Sequence, residues 1–270
     1  MTPKTILIGI SGVSSSGKTT LSRLLRDIFP STFILHEDDF YWPDTQIPYK
    51  DGVQDWDCIE AIDVKGLQKA LEYIKQHGTS PPDLLSKEDQ NSVGESGVNE
   101  EAVKAWKDKA RSGAAAVNSV RIAIVDGFLL FGQEMKEVWK LMDVRLFLRT
   151  EYVDYIMLTL QCRETPLLTC ISSYATAKRR REARLGYVTL EGFWEDPPGY
   201  VDNIVWPNYV KEHAFLFQNG DVDGEVDSAA SQRLALHVMP KEYQHDITSC
   251  LDWACEIVSK TVADAAHAAA

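Results

Sequence analysis

Cysteine, cationic charge and long apolar runs are all scarce in this 270-residue chain, and each shortage removes a class of function. The five cysteines, Cys58, Cys162, Cys170, Cys250 and Cys255, are odd in number and contain no CxxC pair, which argues against a disulfide framework and a zinc site. Such thiols are expected to stay reduced in a cytosolic setting. No run approaches the roughly 18 apolar residues of a membrane span, and no charged stretch followed by an apolar one opens the chain. A soluble cytoplasmic protein is expected, with the nucleus as a second location. Lys and Arg total 28 against 40 Asp and Glu, a formal net charge of -12. That balance argues against a nucleic-acid partner, because phosphate backbones reward clustered cations. The expected partner is a small molecule, bound by a monomer or a small homo-oligomer.

What the chain does have is Gly12-Val13-Ser14-Ser15-Ser16-Gly17-Lys18-Thr19, a complete GxxxxGK[ST] phosphate loop. Thr5 to Ile10 before it reads as a buried strand. Thr20 to Phe29 after it, with Leu21, Leu24, Leu25 and Ile28 apolar, reads as an amphipathic helix. Glycines at these positions permit a backbone curl whose N–H groups, with the helix N-terminus, cradle phosphate oxygens. Gly12, Ser14, Ser15, Ser16, Gly17, Lys18, Thr19 and Thr20 are therefore expected to bind ATP, with Lys18 reaching the β- and γ-phosphates and the Thr19 hydroxyl holding Mg²⁺.

Further strand-like segments recur at Phe33 to His36, Val120 to Val125, Val144 to Leu148 and Leu234 to Val238, mostly with helical patterns between them. This alternation predicts an α/β fold of the phosphate-loop NTPase type, a doubly wound parallel sheet of about five strands with a small helical lid. The content of 44% hydrophobic residues suits one domain over residues 1–270. Residues 79–119, rich in Ser, Gly, Pro, Asn and charge, read as a flexible insertion with a modest helix around Glu100 to Arg111. Asp221, Asp223, Glu225 and Asp227 alternate in a way that hints at calcium, but the glycine falls in the wrong place, and a solvated acidic turn is expected.

Ligands of such sheets sit beyond the carboxyl ends of the strands. After the second strand comes His36-Glu37-Asp38-Asp39, where a carboxylate one strand from the phosphate loop can take a proton from an attacking hydroxyl. Acidic pairs there also serve as turn formers or caps. The third strand ends in Asp126, the usual second half of a phosphate-loop metal site. Tyr174 to Arg184 reads as a helix within a lid region at 174–200. Arg180 and Arg184 share one face at i, i+4, and Arg181 lies about 100° round from Arg180. One side can cover ATP phosphates while another meets the acceptor.

ISGVSSSGKTTL, EDDFYWP, QDWD, VDGFLLF, AKRRREAR and DPPGYVDNIVWPNYV, in this order, resemble the nicotinamide riboside kinases of the uridine kinase-like branch of phosphate-loop kinases, in their fungal form. The resemblance covers most of residues 1–78 and 119–218. It implies that Asp38 is the general base for the ribose 5′-hydroxyl, with Lys18 the catalytic cation. Asp57 would grip the 2′- and 3′-hydroxyls, aided by Arg181, and Tyr41, Trp56 and Tyr187 would surround the base. Arg180 and Arg184 would serve ATP, and Thr19 and Asp126 the Mg²⁺. It implies phosphorylation of nicotinamide riboside to nicotinamide mononucleotide, a step of NAD salvage. A uridine/cytidine kinase is the alternative enzyme, and a nucleotide-binding regulatory protein of weak turnover the alternative of another class.

Two departures from the family stand out. Asp126 replaces the Glu of animal members, and the shorter arm can move a metal contact to a bridging water. Residues 151–172, Glu151 to Ser172, intervene where the family passes within a few residues from strand to lid helix, and read as a lineage insertion or a retained intron. Nicotinamide riboside is itself a cation. A pocket with Asp38, Asp39, Asp55, Asp57 and facing aromatic rings suits a pyridinium, each ring contributing about 0.5–2 kcal/mol. Trp56 and Asp57, adjacent in an extended stretch, are expected to point apart, one to the base and one to the ribose.

Overall fold

Ile6, Ile8 and Ile10 alternate with Leu7 and Ser11 along the first strand, and both sets are buried. A strand apolar on both sides must be covered on both faces, and the architecture follows from that requirement. The computed structural model describes residues 4–86, 96–112, 120–149, 173–183, 186–189, 191–244 and 246–268. Strand β1 (Lys4–Gly12) leads through the phosphate loop into helix α1 (Lys18–Ile28), and β2 (Thr32–His36) follows. The short pairs β3 (Tyr49–Lys50) and β4 (Val53–Gln54) form a hairpin before α2 (Val64–His77). Then come α3 (Glu100–Ser112), β5 (Val120–Gly127), α4 (Lys136–Trp139) and β6 (Val144–Leu148). Helix α5 (Ser173–Glu182) and the hairpin β7 (Tyr187–Val188) with β8 (Phe193–Trp194) follow. Helices α6 (Trp206–His213) and α7 (Ser228–Leu234), strand β9 (Leu236–Val238) and α8 (Ile247–His267) complete the chain.

The main sheet has the order β2-β5-β1-β6-β9, and all four pairings are parallel. Chain connections diverge on either side of β1, so the crevice beyond its carboxyl end is the topological switch point where such folds bind ligands. Ile6, Ile8 and Ile10 pack on Leu21 and Leu25 of α1 and Leu251 of α8. Leu7 packs with Leu67, Leu71, Phe131 and Phe147 on the opposite face. The five-strand doubly wound sheet is thus as the sequence pattern predicts. The last strand starts later than expected, because Leu234 closes α7 and Ala235 turns left-handed at φ 48° before the backbone extends at Leu236.

Within 79–119, α3 packs on α1 and α8, with Trp106 Nε1 donating to Asp252 Oδ1 at 2.5 Å and Ala110 buried. Residues 87–95 and 113–119 lie outside the described residues, as does the atypical segment Glu151 to Ser172. Asp227 caps α7 by accepting from Ala230 N at 2.7 Å, and Glu225 pairs with Arg149 and Lys241. That acidic turn is therefore used in capping and ion pairs. Among the described residues, no helix is long and apolar enough to cross a membrane.

Candidate active site

The phosphate loop is shaped by two left-handed glycines. Gly12 has φ 153°, and a Cβ there would collide with the Leu148 carbonyl of neighbouring β6; Gly17, at φ 96°, is the N-cap of α1. No side chain caps α1, and no acidic residue stands in its first turn. Its first N–H groups and the positive end of its dipole thus point at the loop, as anion binding requires. The Ser15 and Ser16 hydroxyls are buried with no hydrogen-bond partner among the described residues. Lys18 Nζ donates back across the loop to the carbonyls of Gly12 at 3.1 Å and Val13 at 3.0 Å.

A cavity opens beyond these strand ends. Of the residues expected at the site, Ser14, Ser15, Lys18, Thr19, Asp38, Tyr41, Trp56, Asp57, Asp126, Arg181 and Tyr187 line it. Gly12, Ser16, Gly17 and Thr20 lie in the loop and helix start behind, and Arg180 approaches from the lid with Nη1 donating to Ser15 O at 3.3 Å. Arg184 lies outside the described residues.

One ion cluster joins α5 to the QDWD segment and to Asp196. Arg181 Nη1 and Nη2 donate to the two Asp57 carboxylate oxygens at 2.5 and 2.8 Å, a forked geometry that only a guanidinium supplies. Its Nε donates to Asp196 Oδ2 at 2.6 Å and Nη2 also reaches Asp196 Oδ1 at 3.1 Å, while Nη1 reaches Ser14 Oγ of the phosphate loop at 3.2 Å. Burial opposes the charge on Arg181, but Asp57 foremost, then Tyr187 and Asp196, hold its pKa well above the ordinary guanidinium value. Arg181 therefore stays cationic between Ser14 of the phosphate loop and Asp57.

Within QDWD, Gln54 ends β4, but Trp56 and Asp57 are not extended as expected. Asp55 Oδ1 accepts from Asp57 N at 3.1 Å, folding Trp56 and Asp57 into a turn, and both side chains still reach the cavity. Asp55 itself turns inward, where both its oxygens accept from Asn208 Nδ2 at 2.8 and 2.9 Å, and it is not among the residues that line the cavity. Asp39 is not among the lining residues either. Tyr200 Oη accepts from Trp56 N at 2.9 Å. The DPPGYVDNIVWPNYV stretch thus clamps QDWD from behind, through a π-helical turn at Val201–Val205 just before Pro207. Tyr41 meets Trp56 edge-on with ring centroids 5.3 Å apart, and Arg181 sits 5.3 Å over the Tyr187 ring.

Several residues here were not singled out from the sequence. His36 ends β2 in register with Asp126 at the end of β5, and its Nδ1 lies 2.5 Å from Asp126 Oδ1. Glu37 is wholly buried, with Oε2 accepting from Phe128 N at 2.7 Å and Leu129 N at 3.1 Å, and burial pushes its carboxyl up to about 8. Trp194, Thr189 and Asp196 belong to the hairpin side. Chain order carried a hint for Asp196 alone, since it opens the DPPGY motif, whereas the other placements depend on contacts remote in sequence.

The metal expectation can be tested on donor chemistry. Asp126 Oδ2 is buried without a hydrogen-bond partner among the described residues and lines the cavity beside Thr19. No group of three or more His, Cys, Asp or Glu side chains suited to a metal occurs among them. One carboxylate and one hydroxyl fit Mg²⁺, which keeps several waters and takes phosphate oxygens in preference to an all-protein cage.

No family model matches the chain. It is 40% identical over 229 residues to the nicotinamide riboside kinase of Schizosaccharomyces pombe, covering 84% of this chain and 86% of that protein. To the nicotinamide riboside kinase of Saccharomyces cerevisiae it is 33% identical over 269 residues, 97% of this chain and 98% of the relative. Nicotinamide riboside kinase 1 of Homo sapiens is more distant, 26% identical over 77% of this chain and 76% of its own length. With a phosphate loop and a cavity lined by acidic and aromatic side chains and a forked arginine already in place, matches of this extent establish that the chain belongs to the nicotinamide riboside kinase family.

Proposed function

We propose that this protein transfers the γ-phosphoryl group of ATP to the ribose 5′-hydroxyl of nicotinamide riboside, giving nicotinamide mononucleotide for NAD salvage. The observation that carries the reading is the position of Arg181, which touches the phosphate loop at Ser14, the acceptor side at Asp57 and the aromatic wall at Tyr187. When bound, ATP with Mg²⁺ supplies an electrophilic phosphoryl group. Asp38 takes the proton of the 5′-hydroxyl as its oxygen forms the new bond to the γ-phosphorus, while the bond from that phosphorus to the β,γ-bridging oxygen breaks and ADP leaves. Lys18, Arg180 and the α1 N–H groups hold the phosphate oxygens, and Arg181 neutralises charge that spreads over the transferred group. Asp57 accepts from the vicinal ribose hydroxyls, fixing the 5′-oxygen near the phosphate loop. Thr19 and Asp126 would hold Mg²⁺.

Two carboxylates, Asp38 and Asp57, and the rings of Tyr41, Trp56 and Tyr187 line the acceptor end. This pairing attracts a flat cation more than a neutral pyrimidine. A cytoplasmic setting is consistent with the free, buried thiols of Cys58, Cys250 and Cys255. The test is a panel of nucleosides with ATP and Mg²⁺, read by product mass. Nicotinamide riboside should be the better acceptor, with ADP release dependent on it. Preferential phosphorylation of uridine would install the uridine/cytidine kinase reading, and nucleotide binding without acceptor-dependent turnover a regulatory one.

A further inference from the structure

Trp194 ends the β7–β8 hairpin, paired with Tyr187, between the AKRRREAR and DPPGYVDNIVWPNYV stretches. Its indole is partly buried and lines the acceptor cavity with its ring centroid 5.7 Å from Trp56, tilted by 46°, and 5.6 Å from Tyr200, at 61°. Trp56, held by Tyr41 and Tyr200, therefore has an aromatic neighbour contributed by the lid as well as those from the core. The hairpin is tied across the site, since Thr189 Oγ1 donates to Asp44 Oδ2 at 2.8 Å.

The polar edge of the same side chain reaches the other half of the reaction. Trp194 Nε1 donates to Asp196 Oδ1 at 2.9 Å, and Asp196 grips Arg181 through Nε and Nη2. Arg181 in turn grips Asp57. A chain of charge-assisted hydrogen bonds thus runs from the indole N–H to the cation between phosphate loop and ribose site. Asp196 has a side-chain exposure of 14%, so losing the indole donor leaves its Oδ1 with only the longer 3.1 Å bond from Arg181 Nη2, in a largely dry setting.

We propose that Trp194 is a specificity-determining residue for the acceptor and, through Asp196, a positioning residue for Arg181, with the two jobs divided between its ring and its N–H. The inference rests on the kinase reading above for the identity of the acceptor. The ring contributes cation–π attraction for a positively charged base, and Trp is the strongest side chain for this. The N–H acts on phosphoryl transfer whichever nucleoside is bound.

The experiment measures kcat and acceptor KM for nicotinamide riboside and uridine in the wild type, Trp194→Phe, Trp194→Leu and Asp196→Asn, with thermal melts as the folding control. Trp194→Phe keeps a ring and loses the donor, so kcat should fall about tenfold for both nucleosides while KM moves less than about threefold. Asp196→Asn should lower kcat in the same way. Trp194→Leu should add a rise of about five- to tenfold in KM for nicotinamide riboside and a clearly smaller rise for uridine. Should Trp194→Leu fail to fold, Trp194→Phe reports the same acceptor bias at smaller size.

A Trp194→Phe enzyme with wild-type kcat overturns the positioning role, and equal KM changes for the two nucleosides overturn the specificity role. A wild type that prefers uridine overturns the nicotinamide riboside reading instead, and the Trp194→Phe kcat still decides the positioning role.

Discussion

His36 and Asp126 close neighbouring strands in register, with His36 Nδ1 2.5 Å from Asp126 Oδ1 and both side chains 3% exposed. The imidazole thereby fixes the rotamer of a carboxylate that lines the cavity and whose other oxygen is buried without a hydrogen-bond partner among the described residues. A short Asp arm held by a neighbouring imidazole can present one defined oxygen to a hydrated metal, as ligands braced by outer-shell partners do.

His36→Leu should therefore destabilise the fold by about 1–3 kcal/mol, because it strips a buried carboxylate of its partner. It should also raise the Mg²⁺ concentration needed for half-maximal rate several-fold. Thermal melts and Mg²⁺ titrations of the initial rate read the two effects separately. Unchanged Mg²⁺ dependence would reduce the contact to a structural one.

The parts of this site that were legible beforehand are those written in adjacent residues. Gly12 to Thr19 specifies its own backbone curl, and β1 and β6 are announced by their apolar runs. Contacts between distant segments were not legible, and they decide the roles. Asp55 and Asp57 look alike in QDWD, yet Asn208 draws Asp55 inward while Arg181 draws Asp57 toward the cavity. The same holds for His36, whose partner is 90 residues away and is fixed by strand order. Where the sequence pattern failed locally, at Trp56 and Asp57, the cause was a side chain: Asp55 Oδ1 bonds the Asp57 N–H and replaces an extended stretch with a turn.

Asp38→Asn should lower kcat about 10²- to 10⁴-fold with a far smaller change in acceptor KM, since the amide keeps the shape but cannot accept the proton. Steady-state kinetics with nicotinamide riboside make the comparison. If Asp39→Asn is the more damaging substitution, the base is the neighbouring residue, which lies outside the cavity lining.

Glu37 predicts a pH dependence of stability. Burial raises its carboxyl from 4.5 to about 8, although the N–H groups of Phe128 and Leu129 work in the opposite direction. The folded chain then binds this proton more tightly than the unfolded one between pH 4.5 and 8, so folding stability declines as pH rises through that window. The decline should be on the order of a few kcal/mol. Glu37→Gln retains an acceptor for the two N–H groups and has no proton to lose, so its melting temperature should vary less from pH 5 to 9 than that of the wild type. Parallel profiles would mean that Glu37 is ionised in the folded protein.

Asp57 should decide the sugar. Its carboxylate is held by two Arg181 hydrogen bonds and lines the cavity beside Trp56, so vicinal ribose hydroxyls would meet an acceptor already fixed in place. A sugar lacking the 2′-hydroxyl leaves that acceptor underused in a dry pocket, at about 1–3 kcal/mol. The wild type should thus favour nicotinamide riboside over its 2′-deoxy analogue by roughly ten- to hundredfold in kcat/KM. Asp57→Ala removes the acceptor and also one of the two carboxylates that grip Arg181, while Asp196 keeps the guanidinium anchored. It should slow turnover of both compounds and bring their kcat/KM values to within a few-fold of each other. Asp196→Asn serves as the contrast, because it loosens Arg181 and leaves Asp57 in the pocket: turnover should fall with the sugar preference intact. If Asp57→Ala still discriminates as the wild type does, ribose recognition lies elsewhere and the Asp57–Arg181 pair serves only to close the lid.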